Sequence, residues 1–248
     1  MTTPAAPFDC LVVGASRGIG RAIALRLLDR TDVRRVYATT RQPQAGEEVD
    51  ASRWRGLVAD VTDENSLQAL ADTLQADAAR LQLVIHCAGL LHGPGMAPEK
   101  ALFQCRGDHL MQLFAVNSIG PLMLARCVLP LLPRRDPSHF AVLSAMVGSI
   151  GDNRLGGWYG YRASKAALNQ FMRTLAIECH RTHPGLCITA IHPGTTDTDL
   201  SRPFQANVEP DKLYPPELSA RRILDVVLAG AAEDSGRFVN WDGRRIPW

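Results

Sequence analysis

Val12-Val13-Gly14-Ala15-Ser16-Arg17-Gly18-Ile19-Gly20 is the stretch on which the fold of this 248-residue chain turns. Before it runs an apolar segment of strand length, Phe8–Val13. After it, Ile19, Ile23 and Leu27 recur on one helical face of Gly18–Leu28. A strand, a glycine-rich turn and a helix in that order bring exposed backbone N–H groups and the positive end of a helix to one point. Such a point attracts a pyrophosphate. Gly14 permits the tight turn, Gly18 a close backbone approach, and Gly20 close packing of helix on sheet. Together with Ser16, Arg17 and Ile19 they are the first candidate cofactor contacts. The spacing is G-x-x-x-G-x-G rather than G-x-G-x-x-G.

Outward from this unit the pattern repeats. Strands are expected near 8–13, 35–40, 56–59, 82–86, 139–144, 187–191 and 237–240. Helices are expected near 18–30, 64–79, 107–132, 157–180 and 217–230. Alternation of this kind predicts an α/β fold, one Rossmann-type, doubly wound parallel sheet of about seven strands flanked by helices, with residues 1–248 as a single domain. Ligands of such sheets bind at the carboxyl ends of the strands, where strand order reverses. Gly14, Ala88, Ser144 and the segment His192–Gly194 all fall at expected strand ends.

Tyr161-Arg162-Ala163-Ser164-Lys165 is the second informative stretch. Ala166, Ala167, Leu168, Phe171, Met172, Leu175 and Ala176 make the following segment an amphipathic helix. Residues four apart on a helix share a face, which brings the Lys165 ammonium to the Tyr161 phenol. A neighbouring positive charge favours phenolate, so the tyrosine is expected to be tuned down toward neutral pH and to act as a general acid or base.

With both motifs in hand, the chain resembles the classical short-chain dehydrogenases/reductases over essentially its whole length, and within them a C-factor-like subgroup. The subgroup likeness rests on Gly148–Asn153, on Gly157-Trp158-Tyr159 and on the stretch from Trp241-Asp242-Gly243 to Ile246-Pro247-Trp248. The resemblance implies a hydride transfer between a nicotinamide cofactor and a carbonyl or alcohol. It makes Tyr161, Lys165 and Asn117 catalytic, Asn117 perturbing its helix and holding a water in a proton relay. It implies that Asp60 and Val61 lie at the adenine, that Ala88 and Gly89 lie near the adenosine ribose, and that Pro193, Gly194, Thr196 and Thr198 hold the nicotinamide amide. A dimer or tetramer built by pairing the helices near 107–132 and 157–180 follows from the same resemblance.

Two departures stand out. Where the family carries Asn-Asn-Ala-Gly, this chain has His86-Cys87-Ala88-Gly89. Cys87 reads as a packed small residue rather than a ligand. Where the family carries Ser-Ser-x-x-Gly with the second serine catalytic, this chain has Ser144-Ala145-Met146-Val147-Gly148. Neighbours on a strand face opposite sides, so either Ala145 holds the catalytic position or a bulge turns Ser144 inward. Ser144 is taken as the candidate, being the only hydroxyl in the strand-end segment.

Cofactor choice is read at the end of the second strand. Tyr37-Ala38-Thr39-Thr40-Arg41 carries no acid to hold ribose hydroxyls. Arg17 and Arg41 are instead placed to grip a 2′-phosphate, which predicts NADP(H) over NAD(H). Leu90–Pro98, Gly148–Gly160 and Asp199–Pro216 are expected to line the substrate pocket, the last as a lid. Leu90, Leu91, Trp158 and Phe204 would make it apolar, and Arg154 or Arg202 could hold an acidic group.

Composition narrows the alternatives. A net charge of +2, from 27 basic and 25 acidic residues, argues against a nucleic-acid surface. Six cysteines without C-x-x-C spacing predict reduced thiols and no metal site. Met1–Pro7 lacks the features of a signal peptide, and prolines such as Pro130 and Pro133 interrupt the apolar runs. A cytoplasmic enzyme for a small carbonyl or alcohol, without a membrane partner, is the resulting expectation. A non-catalytic dinucleotide-binding regulator is the competing class, but such a protein has no use for an acid at Tyr161.

Overall fold

The computed structural model describes residues 7–43 and 49–248. The start of the Met1–Pro7 segment, up to residue 6, lies outside the described residues. Seven strands, β1 (Phe8–Val13), β2 (Val33–Thr40), β3 (Trp54–Val58), β4 (Leu81–His86), β5 (Ser138–Leu143), β6 (Leu186–His192) and β7 (Arg237–Asn240), form one sheet in the order β3-β2-β1-β4-β5-β6-β7. Every pairing is parallel. The order reverses between β1 and β4, so the loops leaving these two strands open a crevice.

Helices α1 (Gly18–Leu28), α2 (Glu64–Ala76), α3 (Gly107–Phe114), α4 (Gly120–Val128), α5 (Tyr159–Thr182) and α6 (Pro216–Leu228) cover both faces. The pleat explains the division. Leu11, Val13, Phe140 and Val142 point to a core shared with α2, α4 and α5. Cys10, Val12, Ala141 and Leu143 point to a second core with α1 and α6. Both sides of each central strand are dry, which is why these strands read as unbroken apolar runs.

The expected elements are present, with shifted ends that have local causes. Ala78, with φ +48, stops the α2 region short of residue 79. Gly157 and Trp158, at φ +65 and +52, delay α5 until Tyr159. The single helix expected over 107–132 is interrupted by a π turn at Ala115–Ile119. By length and composition alone, Gly107–Leu131 could cross a membrane, contrary to the expectation that no run could. Half of its apolar window is buried, where α4 packs on α2 and α5.

Candidate active site

The first half of the site is the glycine loop. A β-carbon at Gly14, which has φ +84, would lie 2.7 Å from the Ala88 amide nitrogen, and one at Gly20 would lie 2.2 Å from the Gly14 carbonyl oxygen. These contacts lock the loops after β1 and β4 together and bring the first turn of α1 down onto the sheet. The N-cap residue Arg17 makes no side-chain cap bond and no acid stands in the first turn of α1, which leaves the positive end of the helix toward the crevice. That arrangement fits a pyrophosphate.

Around the loop stand the other expected contacts. Asp60 accepts hydrogen bonds from the Thr62 amide at 2.8 Å and its hydroxyl at 2.7 Å. These bonds, with the nearby charge of Arg41, hold its carboxyl below the usual range. Arg17 pairs with Asp199 at 3.5 Å, and Asp199 also takes Arg202 at 2.9 Å. Thr198 touches Gly18: a β-carbon there would stand 3.0 Å from the threonine methyl. Thr196 is buried with its hydroxyl 2.7 Å from that of Ser219.

Gly194, at φ +79, rests under Tyr214 and Trp241, whose β-carbon distances of 2.8 and 3.0 Å leave room only for glycine. Arg222 stacks on both rings, 4.3 Å from the Tyr214 centroid and 3.8 Å from that of Trp241. This stack fixes the neck of the 198–213 loop, where Thr195 and Asp197 exchange backbone hydrogen bonds with Tyr214. Sequence reading missed it, because residues 214, 222 and 241 lie on separate elements.

The second half of the site is the start of α5. Tyr161 and Lys165 are buried one turn apart. The Lys165 ammonium stands 5.8 Å from the Tyr161 ring centroid and donates to the Leu143 carbonyl at 2.8 Å. Gly89 lies between Lys165 and Asn117, its β-carbon position 3.8 Å from Nζ of the first and 3.6 Å from Oδ1 of the second. Asn117 sits in the π turn. Its Oδ1 accepts from the Leu90 amide at 2.8 Å, and its Nδ2 donates to the Leu90 carbonyl and to Ser164 Oγ at 2.7 and 3.0 Å. Ser164 in turn donates to the Tyr161 carbonyl at 2.9 Å. The amide of Asn117 thus ties the loop after β4 to the turn of α5 that carries Tyr161. Its N–H groups are both engaged by protein atoms.

Electrostatics correct one expectation. Burial pushes the Tyr161 phenol up, not down, and keeps it protonated. The Lys165 ammonium pays for the same burial and falls to about 8. Behind it, burial and the Lys165 charge keep His86 neutral, down at about 3. Desolvation pushes the thiol of the half-buried Cys87 up, which suits a packed residue better than a ligand.

The strand-end serine is also corrected. The pleat that sends Phe140 and Val142 toward α5 sends Ser144 there too, and its hydroxyl donates to Asn169 Oδ1 at 2.6 Å, fully buried. Ala145 follows in extended backbone and packs its methyl in a cluster with Tyr161, Leu91, Met96 and Leu113. Ser144 therefore serves packing of β5 on α5, not the site. Ser144→Ala is expected to keep kcat within about threefold and to lower stability by about 1 kcal/mol, one buried hydrogen bond. Steady-state rates and urea melts check this.

Trp158, Phe204 and His92 line the mouth. Trp158 meets Tyr161 edge-on at 6.1 Å and Phe204 at 5.0 Å, and His92 meets Phe204 at 5.7 Å. Trp158 holds a left-handed backbone that few large residues adopt, with its amide bound to the Glu99 carbonyl. The buried Glu99 carboxylate accepts from the Gly160 amide at 3.2 Å and completes the start of α5. Nothing in the sequence marks Glu99, a loop glutamate of a type found mostly on surfaces. Arg154 is exposed, and Arg202 is held by Asp199.

A dinucleotide-type cradle facing a buried tyrosine–lysine pair across one crevice defines an oxidoreductase of the Rossmann type. The model of the short chain dehydrogenase family matches residues 10–209, and the chain belongs to that family. It is an NAD(P)-dependent short-chain dehydrogenase/reductase. Over 241 residues, 96% of this chain and 98% of the other, it is 31% identical to the 1-hydroxy-2-glutathionyl-2-methyl-3-butene dehydrogenase of Rhodococcus sp. (strain AD45). The C-signal of Myxococcus xanthus shares 32% identity over 139 residues, 56% of this chain and 78% of that one, which accords with the C-factor likeness. Among solved structures, the NADPH-bound carbonyl reductase from chicken fatty liver superposes with a TM-score of 0.83 at 26% identity, covering 98% of this chain and 100% of that one.

Proposed function

We propose that this protein reduces small carbonyl compounds to alcohols with NADPH, and that it runs the reverse oxidation on the same groups. The observation that carries the reading is the buried phenol of Tyr161, kept protonated and placed one turn from Lys165 at the crevice opposite the open end of α1. When bound, the nicotinamide supplies the hydride. Tyr161 gives its proton to the oxygen of the reacting carbonyl. Lys165 supplies positive charge behind the phenol and a donor toward the cofactor ribose. Asn117 holds the loop after β4 against α5. Gly14, Ser16, Arg17, Gly18, Ile19, Gly20, Asp60, Val61, Ala88 and Gly89 bind the dinucleotide, and Pro193, Gly194, Thr196 and Thr198 hold its nicotinamide end. A panel of ketones and aldehydes, followed by loss of NADPH absorbance, tests the reading. Tight NADPH binding with no turnover on any carbonyl would favour a regulator instead.

Preference for NADPH rests on Arg17 and Arg41, with no acid at the end of β2. Arg41→Ala is expected to lower kcat/KM for NADPH about tenfold or more, the loss of one charged hydrogen bond, and to leave NADH little changed. Equal efficiency with both cofactors in the parent protein would refute the preference.

Six free cysteines suit a reducing compartment, and the cytoplasm is the proposed location. Met111, Ile119 and Ile177 are exposed on the helices that the family resemblance pairs across two-fold axes, which supports a homodimer or homotetramer. Sedimentation at micromolar concentration is expected to give a species of two or four chains; a monomer would rule that out.

A further inference from the structure

The substrate side of Tyr161 is poor in hydrogen-bond donors. Ala145, where a hydroxyl residue would supply a donor, is buried in one apolar cluster with Tyr161, Leu91, Met96 and Leu113. The hydroxyls on the segments that build this wall are spent elsewhere. Ser144 donates to Asn169, and Ser164 donates to the Tyr161 carbonyl. Ser149 Oγ takes the Asp152 amide at 3.1 Å and reaches the Trp248 carbonyl at 3.5 Å. His92 is engaged with the Asp199 carbonyl at 3.2 Å. Among the hydroxyls of the described residues on these segments, that leaves the Tyr161 O–H to meet the charge that develops on a reacting carbonyl oxygen. A missing second donor commonly costs about 10²–10³ in turnover.

A carbonyl tolerates that loss when its own substituents carry the charge. An adjacent carbonyl group does so, by withdrawing electrons from the developing alkoxide. The mouth adds a shape requirement: Trp158, Phe204 and His92 form an aromatic wall, Phe204 tilted 60° to Trp158 and 68° to His92. Leu90, Val147 and Leu200 close the remaining sides. A flat aryl group buries well against such a wall.

We propose that this site is built for aryl vicinal dicarbonyls, reduced at one carbonyl to the hydroxy ketone, with Ala145 as the residue that restricts the enzyme to this activated class. The proposal rests on the reading of Tyr161 as proton donor. In the step, hydride adds to one carbonyl carbon and the C=O π pair moves to oxygen. That oxygen takes the Tyr161 proton, and the dicarbonyl gains the two electrons lost by NADPH. The phenol is restored by a proton from solvent.

The test compares phenylpropanedione with propiophenone, which differ only in the second carbonyl. The parent enzyme is expected to reduce the dione and to leave propiophenone nearly untouched. Ala145→Ser restores a hydroxyl beside the phenol and is expected to raise kcat/KM for propiophenone by about 10²-fold, so that the ratio of dione to ketone falls by at least about tenfold. A ratio unmoved by the substitution would overturn the proposal, as would a parent enzyme that reduces both compounds alike. NADPH binding, measured by fluorescence, reports whether the variant is folded. If it is not, the same ratio in Ala145→Gly, which adds no donor, is expected to stay at the parent value, and a fall there removes the role given to Ala145. Absence of turnover on either compound and on the wider carbonyl panel, with NADPH bound, would sink the reductase reading itself.

Discussion

Tyr161→Phe is expected to lower kcat by about 10²–10⁴-fold, the usual contribution of a positioned general acid, while the Kd for NADPH stays within about threefold. The asymmetry comes from packing. The ring is buried against Trp158, Leu91 and Ala145, and phenylalanine keeps all of that contact. Only the proton is removed. Tyr159, two residues earlier and 44% exposed, serves as the control: Tyr159→Phe is expected to leave turnover unaltered. Loss of activity in the Tyr159 variant and not in the Tyr161 variant would show that the acid has been misplaced. Stopped-flow hydride transfer with a saturating carbonyl separates this step from product release.

Lys165→Met is expected to cost both turnover and cofactor affinity. The ammonium is buried, donates to the Leu143 carbonyl at 2.8 Å and stands beside Gly89 at the floor of the crevice. Removing one charged donor there is worth about 1.5–3 kcal/mol, which weakens NADPH about tenfold or more. The same group sets the pH profile. Burial lowers Lys165 from 10.5 to about 8. The charged form is needed, so reduction in the parent protein is expected to fall as pH rises through about 8. Stability moves the other way. Below about 8 both folded and unfolded chains hold the proton, and the folded chain pays the desolvation cost. Between about 8 and 10.5 the unfolded chain keeps a proton that the folded chain has lost, so this contribution rises with pH across that window. Lys165→Met is expected to abolish both trends. A parent rate that is flat through this range, or a Met variant with an unchanged profile, would assign the titration to another group.

The parts of the site differ in how readable they were. The cradle is local: strand, turn and helix follow one another within Phe8–Leu28, and Gly14 and Gly20 serve contacts inside that stretch or one strand away. The tyrosine–lysine pair is local too, since helical geometry alone puts residues four apart on one face. Asn117 came from resemblance, and the π turn around it had no signature in hydrophobic periodicity. The stack of Arg222 between Tyr214 and Trp241 and the seat of Glu99 under α5 joined residues far apart in the chain, and no local pattern announces such contacts.

From the sequence by itself came the parallel α/β architecture, the crevice at the strand ends and the pairing of Tyr161 with Lys165, because each depends on a short-range period or a turn. Tertiary structure alone decided three things. Ser144 turns away to Asn169 and Ala145 faces Tyr161, because the face a residue shows past a strand end depends on which helix packs there. Arg17 reaches Asp199, because the 198–213 loop folds back over the glycine turn. Tyr161 is held as a phenol rather than drawn toward phenolate, because desolvation depends on every atom that closes around the ring, and those atoms come from four separate segments of the fold.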